Sequence, residues 1–192
     1  MREFASSTWI HPSAQLYGRV AIGAGSSIWP NVVLRSECHE IRIGRLTNVQ
    51  DFVMIHVGFD HPTIIGDGCS ITHHTTIHGA TVEDHCLIGI NATLMDGVIV
   101  GRGSIVAGGA FCTEGSIFPP GSVIAGVPAK VIRQRDSSRA NRLNAWVYHR
   151  NAQFYREGEH RAWDGDEYRR WRDEKWREIE ADLDLEAIAA LS

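Results

Sequence analysis

The stretch Thr81–Val106, TVEDHCLIGINATLMDGVIVGRGSIV, decides the fold. Val82, Ile88, Leu94, Val100 and Val106 recur in it every six residues, and the same phase continues through Cys112, Phe118 and Ile124. Towards the N-terminus it is carried by Ile10, Leu16, Ile22, Ile28 and Leu34, then by Ile43, Val49 and Ile55, then by Ile65, Ile71 and Ile77. Small or β-branched side chains mostly stand four residues after each of these, among them Val32, Thr47, Cys69, Cys86, Ala92 and Ser104. A helix repeats every ~3.6 residues and a strand every two, so neither sustains a period of six. A hexapeptide period means short strands joined by tight turns, three to a coil, stacked as a three-sided parallel β-helix. A β-sandwich would keep this spacing over so many positions only by coincidence. The sequence therefore predicts an all-β solenoid, a left-handed parallel β-helix of hexapeptide repeats.

Three breaks interrupt the phase. Residues 35–42 add three positions, residues 56–64 add four, and the step from Ile77 to Val82 is one short. The two insertions read as loops leaving the prism, where a rigid scaffold usually carries function. A second change comes near Gly126-Val127-Pro128: all six prolines and all but two of the 19 glycines lie before Ala129, whereas four of the six tryptophans lie after it. We divide the chain into a β-helix domain, residues 1–132, and an α-helical tail, residues 133–192. In the tail, Ser137 or Ser138 would cap a helix presenting Leu143, Val147, Asn151 and Phe154 or Tyr155 on one face and ending near Gly158. A second, mixed-charge helix would start at Asp164 or Asp166 and run through Ile179 to Leu183. The tail reads as a cover for the prism or a clasp between subunits.

Composition narrows the function classes. The chain has 192 residues, 43% hydrophobic and 22% charged, with a formal net charge of −4. That balance gives no basic surface for nucleic acid, and no window has the roughly 18 apolar residues of a membrane span. Met1-Arg2-Glu3-Phe4 does not open a signal peptide, and four cysteines without a CxxC pair do not form a disulfide framework. The expectation is a cytoplasmic protein without nucleic-acid or membrane partners.

The register then sorts the histidines. Residues three turns apart stack on one face, about 4.8 Å apart. His56 and His78 therefore fall in adjacent coils, with Arg35 one coil below and Met95 one above. The preceding turn gives a second column, Pro30, Asp51, His73 and Ile90, with Gln50 beside Asp51. Two stacked imidazoles make half of a zinc-type site, which needs three or four ligands. His73 belongs to another corner and meets that pair only if a second copy presents it. The pattern predicts a metal shared across a subunit interface, and a threefold oligomer suits a three-sided prism. His11, His39, His61, His74, His85, His149 and His160 read as surface or hydrogen-bonded residues. Cys69, Cys86 and Cys112 read as buried packing residues, and Cys38 lies in the first insertion.

These residues resemble the γ-class carbonic anhydrase family of hexapeptide-repeat proteins. The match runs from Trp29-Pro30-Asn31-Val32-Val33-Leu34-Arg35 through Asn48-Val49-Gln50-Asp51, Ile55-His56 and His73-His74-Thr75-Thr76-Ile77-His78-Gly79 to Gly126-Val127-Pro128-Ala129-Lys130, and covers roughly residues 9–135. The resemblance implies a homotrimer with three interfacial metal sites. His56 and His78 would come from one subunit and His73 from its neighbour, holding zinc, or iron or cobalt. It implies reversible hydration of CO2 to bicarbonate by a metal-held hydroxide, with Gln50 orienting that hydroxide and Arg35, Asp51 and Glu37 bridging subunits. The family usually has Arg-Gly-Asp where this chain has Arg35-Ser36-Glu37, so Glu37 keeps the charge on a longer arm. The family's acidic proton-shuttle positions fall near Cys38 and Phe59, which do not carry protons, leaving His61 or His85 as the relay. Two other readings share the scaffold: an acyl-CoA thioesterase or hexapeptide acyltransferase, and a non-catalytic trimeric assembly protein.

Overall fold

The computed structural model describes residues 2–192, and the hexapeptide phase becomes a three-sided left-handed β-helix with a helical tail. One face stacks Trp9–Ile10, Ser27–Ile28, Asn48–Val49, Ser70–Ile71, Leu87–Ile88, Ile105–Val106 and Ser122–Gly126, all in parallel register. We call this the helix face. The other two faces are joined into one sheet by Gln15–Ile22 and Val33–Ile43, which run on around the corner between them. On the first of these, Val33–Arg35 pairs with Met54–His56, which pairs with Thr76–His78. On the second, Ile41–Ile43 pairs with Thr63–Ile65, which pairs with Thr81–Val82.

The six-residue apolar positions fill the interior. Ile28, Leu34, Val49, Ile55, Ile71, Ile77, Ile88, Leu94, Val100, Val106 and Ile124 are fully buried in one continuous core, together with Cys69, Cys86 and Cys112. Each such aliphatic side chain contributes about 1.5–3 kcal/mol by leaving water. Burial pushes the Cys112 thiol up to about 11 and raises Cys69 well above the ordinary thiol range, so these sulfurs are packing groups. At the corner after the helix face the chain turns through the left-handed region at Asn31, Phe52, His74 and Asn91, one above another. Asparagine enters that region readily; phenylalanine and histidine do so at about 1–2 kcal/mol each. The rings of Phe52 and His74 stack in parallel, centroids 5.0 Å apart.

The insertions behave differently from each other. Residues 35–42 form no loop leaving the prism: they stay in the strand Val33–Ile43, held because Gln15–Ile22 bends with them through an irregularity between Gly18 and Val20. The second insertion is a true loop, residues 57–62. The prism ends on a hairpin absent from the hexapeptide pattern, in which Ala129–Gln134 runs antiparallel to Ser122–Gly126.

The tail has three helices, α1 (Ser138–Arg156), α2 (Gly165–Glu180) and α3 (Leu183–Ala190). Neither expected serine caps α1 through its side chain; Asp136 Oδ1 accepts from the Ser138 N–H at 2.9 Å instead. The buried face of α1 keeps the expected Asn151, with Leu143 and Tyr155 packed at its edges, but is wider than expected: Asn141, Ala145, Tyr148 and Ala152 are buried towards the prism and Arg142 and Trp146 towards α2 and α3. Helix α1 lies along the helix face of its own prism. Trp29 packs edge-on against Trp9, Tyr148 and Tyr155, with centroids 4.9–5.5 Å apart. Asn141 donates to the carbonyls of His85 (2.8 Å) and Ser104 (3.1 Å). The second helix stops before Leu183, because Asp182 takes φ 57° and starts a third. Among the described residues no helix is long and apolar enough to cross a membrane.

Candidate metal centre

The strand register sets the site. Arg35, His56 and His78 are Cα partners on consecutive rungs, at the corner where the first face turns into the second. The imidazoles of His56 and His78 approach edge-on with centroids 4.9 Å apart. His56 Nε2 bonds Glu37 Oε2 at 2.7 Å, and Glu37 also pairs with Arg35. The hydrogen bond from His56, joined by the Arg35 guanidinium, holds the Glu37 carboxyl below the usual carboxylate range. His78 turns its other nitrogen, Nδ1, to Asp96 Oδ1 at 2.7 Å. His61 rides in the adjoining loop, its Cβ over Gly79.

His73 and Asp51 occupy the neighbouring corner, beside the helix face. His73 Nδ1 is 3.1 Å from Asp51 Oδ2, and both side chains are about one-third exposed. Gln50 follows core residue Val49, so its side chain points outwards, under α1, where it is 2% exposed. Its amide donates to Asn48 Oδ1 at 2.9 Å, and Asn48 in turn donates to Ser70 Oγ at 2.9 Å.

A cleft of about 590 Å³ opens over Asp51 and His73. Its other walls are Trp29, Tyr148, Asn151 and Tyr155, and residues 160–164 between α1 and α2 close it. Burial, reinforced by the charge of Asp51, pushes the Tyr148 phenol up to about 12. The sequence assigned none of these tail residues to the site, because their proximity depends on how α1 docks and no residue spacing reports that. The signal for Asp96 is its place directly after Met95, the column position above His78. His85, considered as a relay, stands apart at the third corner against Asn141, its basicity lowered by burial.

Within one chain the donors are chemically right for a zinc-type ion and too few. Two imidazoles meet at one corner, and His73, held by a carboxylate, sits at the next. Among the described residues no three His, Cys, Asp or Glu side chains group around a common point. A transition metal prefers such imidazole donors, and a carboxylate beside the other ring nitrogen, hydrogen-bonded at His78 and within ion-pair distance at His73, is what metal-binding histidines normally carry.

Fold and repeat define the class: a hexapeptide-repeat β-helix protein. The family model described as bacterial transferase hexapeptide (six repeats) matches residues 79–114. The chain is 44% identical over 132 residues to gamma carbonic anhydrase 1, mitochondrial, of Arabidopsis thaliana, covering 66% of this chain and 48% of that one. The chain thus spans about half the length of that relative. It is 41% identical over 125 residues to a Methanocaldococcus jannaschii protein named "Probable carbonic anhydrase", covering 65% and 79%. Among solved structures, a hexapeptide transferase family protein from Anaplasma phagocytophilum superposes with a TM-score of 0.76 at 31% identity, covering 80% and 92%. The chain belongs to the γ-class carbonic anhydrase-like family of hexapeptide-repeat proteins.

Proposed function

We propose that this protein hydrates carbon dioxide reversibly to bicarbonate at metal sites shared between the subunits of a homotrimer. The observation that carries the reading is the split of the imidazoles, two stacked at one corner of the prism and one, oriented by Asp51, at the next. A cyclic trimer that brings the first corner of one copy against the second corner of another completes a three-histidine set from His56, His78 and the neighbour's His73. Zinc suits that set, and iron or cobalt uses the same donors. The metal, when bound, lowers the pKa of water to about 7 and so supplies a nucleophile for CO2 at neutral pH.

The chain's own groups do the rest. Asp51 places its carboxylate 3.1 Å from His73 Nδ1, a charged partner on that side of the ring. Gln50, tethered through Asn48, holds its amide rigidly beside that corner and orients the water. Arg35 and Glu37 form the charged rim on the opposite side and tie subunits together. Trp29, Tyr148 and Tyr155 give the apolar substrate a wall with little affinity for charged product. His61, on the corner of His56 and His78, carries the proton towards buffer.

The experiment is metal analysis with stopped-flow CO2 hydration on protein purified without chelators. About one metal ion per chain, with hydration lost in His78→Ala, supports the reading; a full metal complement without hydration refutes it. Acyl transfer or thioester hydrolysis is the second reading, favoured by the carboxylate-held imidazole of His78, which is also the arrangement of a general base. Turnover of acyl-CoA by metal-free protein would select it.

A further inference from the structure

Asp96 has no part in the reading above, yet the fold builds a slot for it. It stands one rung above His78 at the same corner, and a carboxylate only accepts hydrogen bonds. Its 2.7 Å contact with His78 Nδ1 therefore requires the proton on Nδ1, which leaves the lone pair of the neutral ring on Nε2. Two glycines make room for the carboxylate. A Cβ at Gly58 or at Gly79, on the two rungs below, would overlap Asp96 Oδ1. The backbone closes the slot from both sides: Gly97 N–H donates to Gly79 O and Gly115 N–H donates to Asp96 O, each at 2.8 Å. His56, the other imidazole of the pair, has no such anchor and gives its Nε2 to Glu37.

We propose that Asp96 is a positioning residue that locks His78 as the Nδ1–H tautomer and so presents Nε2 as a preformed metal donor. At this corner His78 is the preset ligand and His56 the one that exchanges Glu37 for the ion. The metal part of this inference rests on the proposed function; the tautomer part does not.

The test compares the wild type with Asp96→Asn, Asp96→Ala and, as a control that removes an exposed acid from the same corner, Asp60→Asn. In metal-free protein, ¹⁵N-resolved NMR of the imidazoles should show His78 as Nδ1–H in the wild type and Asp60→Asn, and shifted towards Nε2–H in Asp96→Ala. Cobalt affinity, followed by visible absorption, should fall about tenfold in Asp96→Asn and about a hundredfold in Asp96→Ala, with the urea midpoint of Asp96→Asn close to wild type. An unchanged His78 tautomer in Asp96→Ala overturns the proposal, as does cobalt affinity within about twofold of wild type in both variants. A wild type that takes up no cobalt but shows the Asp96-dependent tautomer would refute the shared metal site and support the role of Asp96.

Discussion

Replacing Gly79 by alanine tests the architecture of the histidine corner more sharply than removing a histidine. Gly79 has φ +59°, where an alanine costs about 1 kcal/mol by conformation alone. The added methyl would also overlap Asp96 Oδ1 and come within 2.9 Å of Gly58 N, whose N–H is already committed to His61 O. The neighbour that can move is the Asp96 side chain, and moving it breaks the bond to His78. A hydrogen bond to a charged group contributes about 1.5–3 kcal/mol. Both side chains here are about one-third exposed, so the lower end applies. The total for Gly79→Ala is about 2.5 kcal/mol. Gly115, on the same corner with φ +67°, has nothing within 4 Å of its would-be Cβ, so Gly115→Ala carries only the conformational cost of about 1 kcal/mol. Urea denaturation of the two metal-free variants at a common m-value measures the difference. Equal losses in both would refute the claim that the glycine at 79 exists to admit the Asp96 carboxylate.

Other predictions concern the seam between tail and prism. Burial lowers the basicity of His85 and His149 from the ordinary 6.5, so the folded chain takes up these protons later than the unfolded one. Their contribution is complete above about pH 6.5 and is lost as pH falls below it, by at most about 1.4 kcal/mol per pH unit for each histidine. His149→Gln, which keeps a donor for Gly25 O, should flatten that slope, and an unaltered slope in urea titrations from pH 7 to 5 counts against the assignment. Arg142 and Asp184 are a buried pair, 4% and 0% exposed, with Arg142 also donating to Ile179 O and Asp182. Arg142→Met should cost about 3–5 kcal/mol by stranding Asp184, and Arg142→Met with Asp184→Leu should recover most of it. Asp136→Ala removes the acceptor at the start of α1 and should cost about 1 kcal/mol in thermal or urea unfolding.

How much of this was legible in the sequence depends on the range of the interaction concerned. A strict period is a property of the chain itself, so the six-residue phase delivered the prism, its core, and the rung-to-rung pairing of Arg35, His56 and His78 without any tertiary information. The same arithmetic stacks Asp51 under His73. It does not reach Asp96, which lies one residue past the column position of Met95 and turns its carboxylate back to His78. Where neighbouring segments decide, the phase was silent. Residues 35–42 had the signature of a loop, but a strand at residues 15–22 bends in parallel and keeps them in the sheet. The face of α1 followed an apolar count that did not foresee Asn141 and Arg142 being buried by carbonyl and carboxylate partners. Tyr148 and Asn151 reached the cleft beside His73 by the same docking. The break at Asp182 comes from one residue in the left-handed region, within a segment whose composition reads as continuous helix.

The shared site is the central claim, and subunit mixing tests it most directly. His73→Ala and His78→Ala chains, each inactive alone, would be unfolded together in equal amounts, refolded, and assayed for bound metal and CO2 hydration. If each site takes His73 from one subunit and His56 and His78 from its neighbour, half of the sites receive an intact His73. Half of those also receive an intact His78, so about one quarter of the wild-type metal and activity should return. No recovery in mixed trimers of confirmed composition would mean that one chain builds the whole site, and the interfacial account would be wrong.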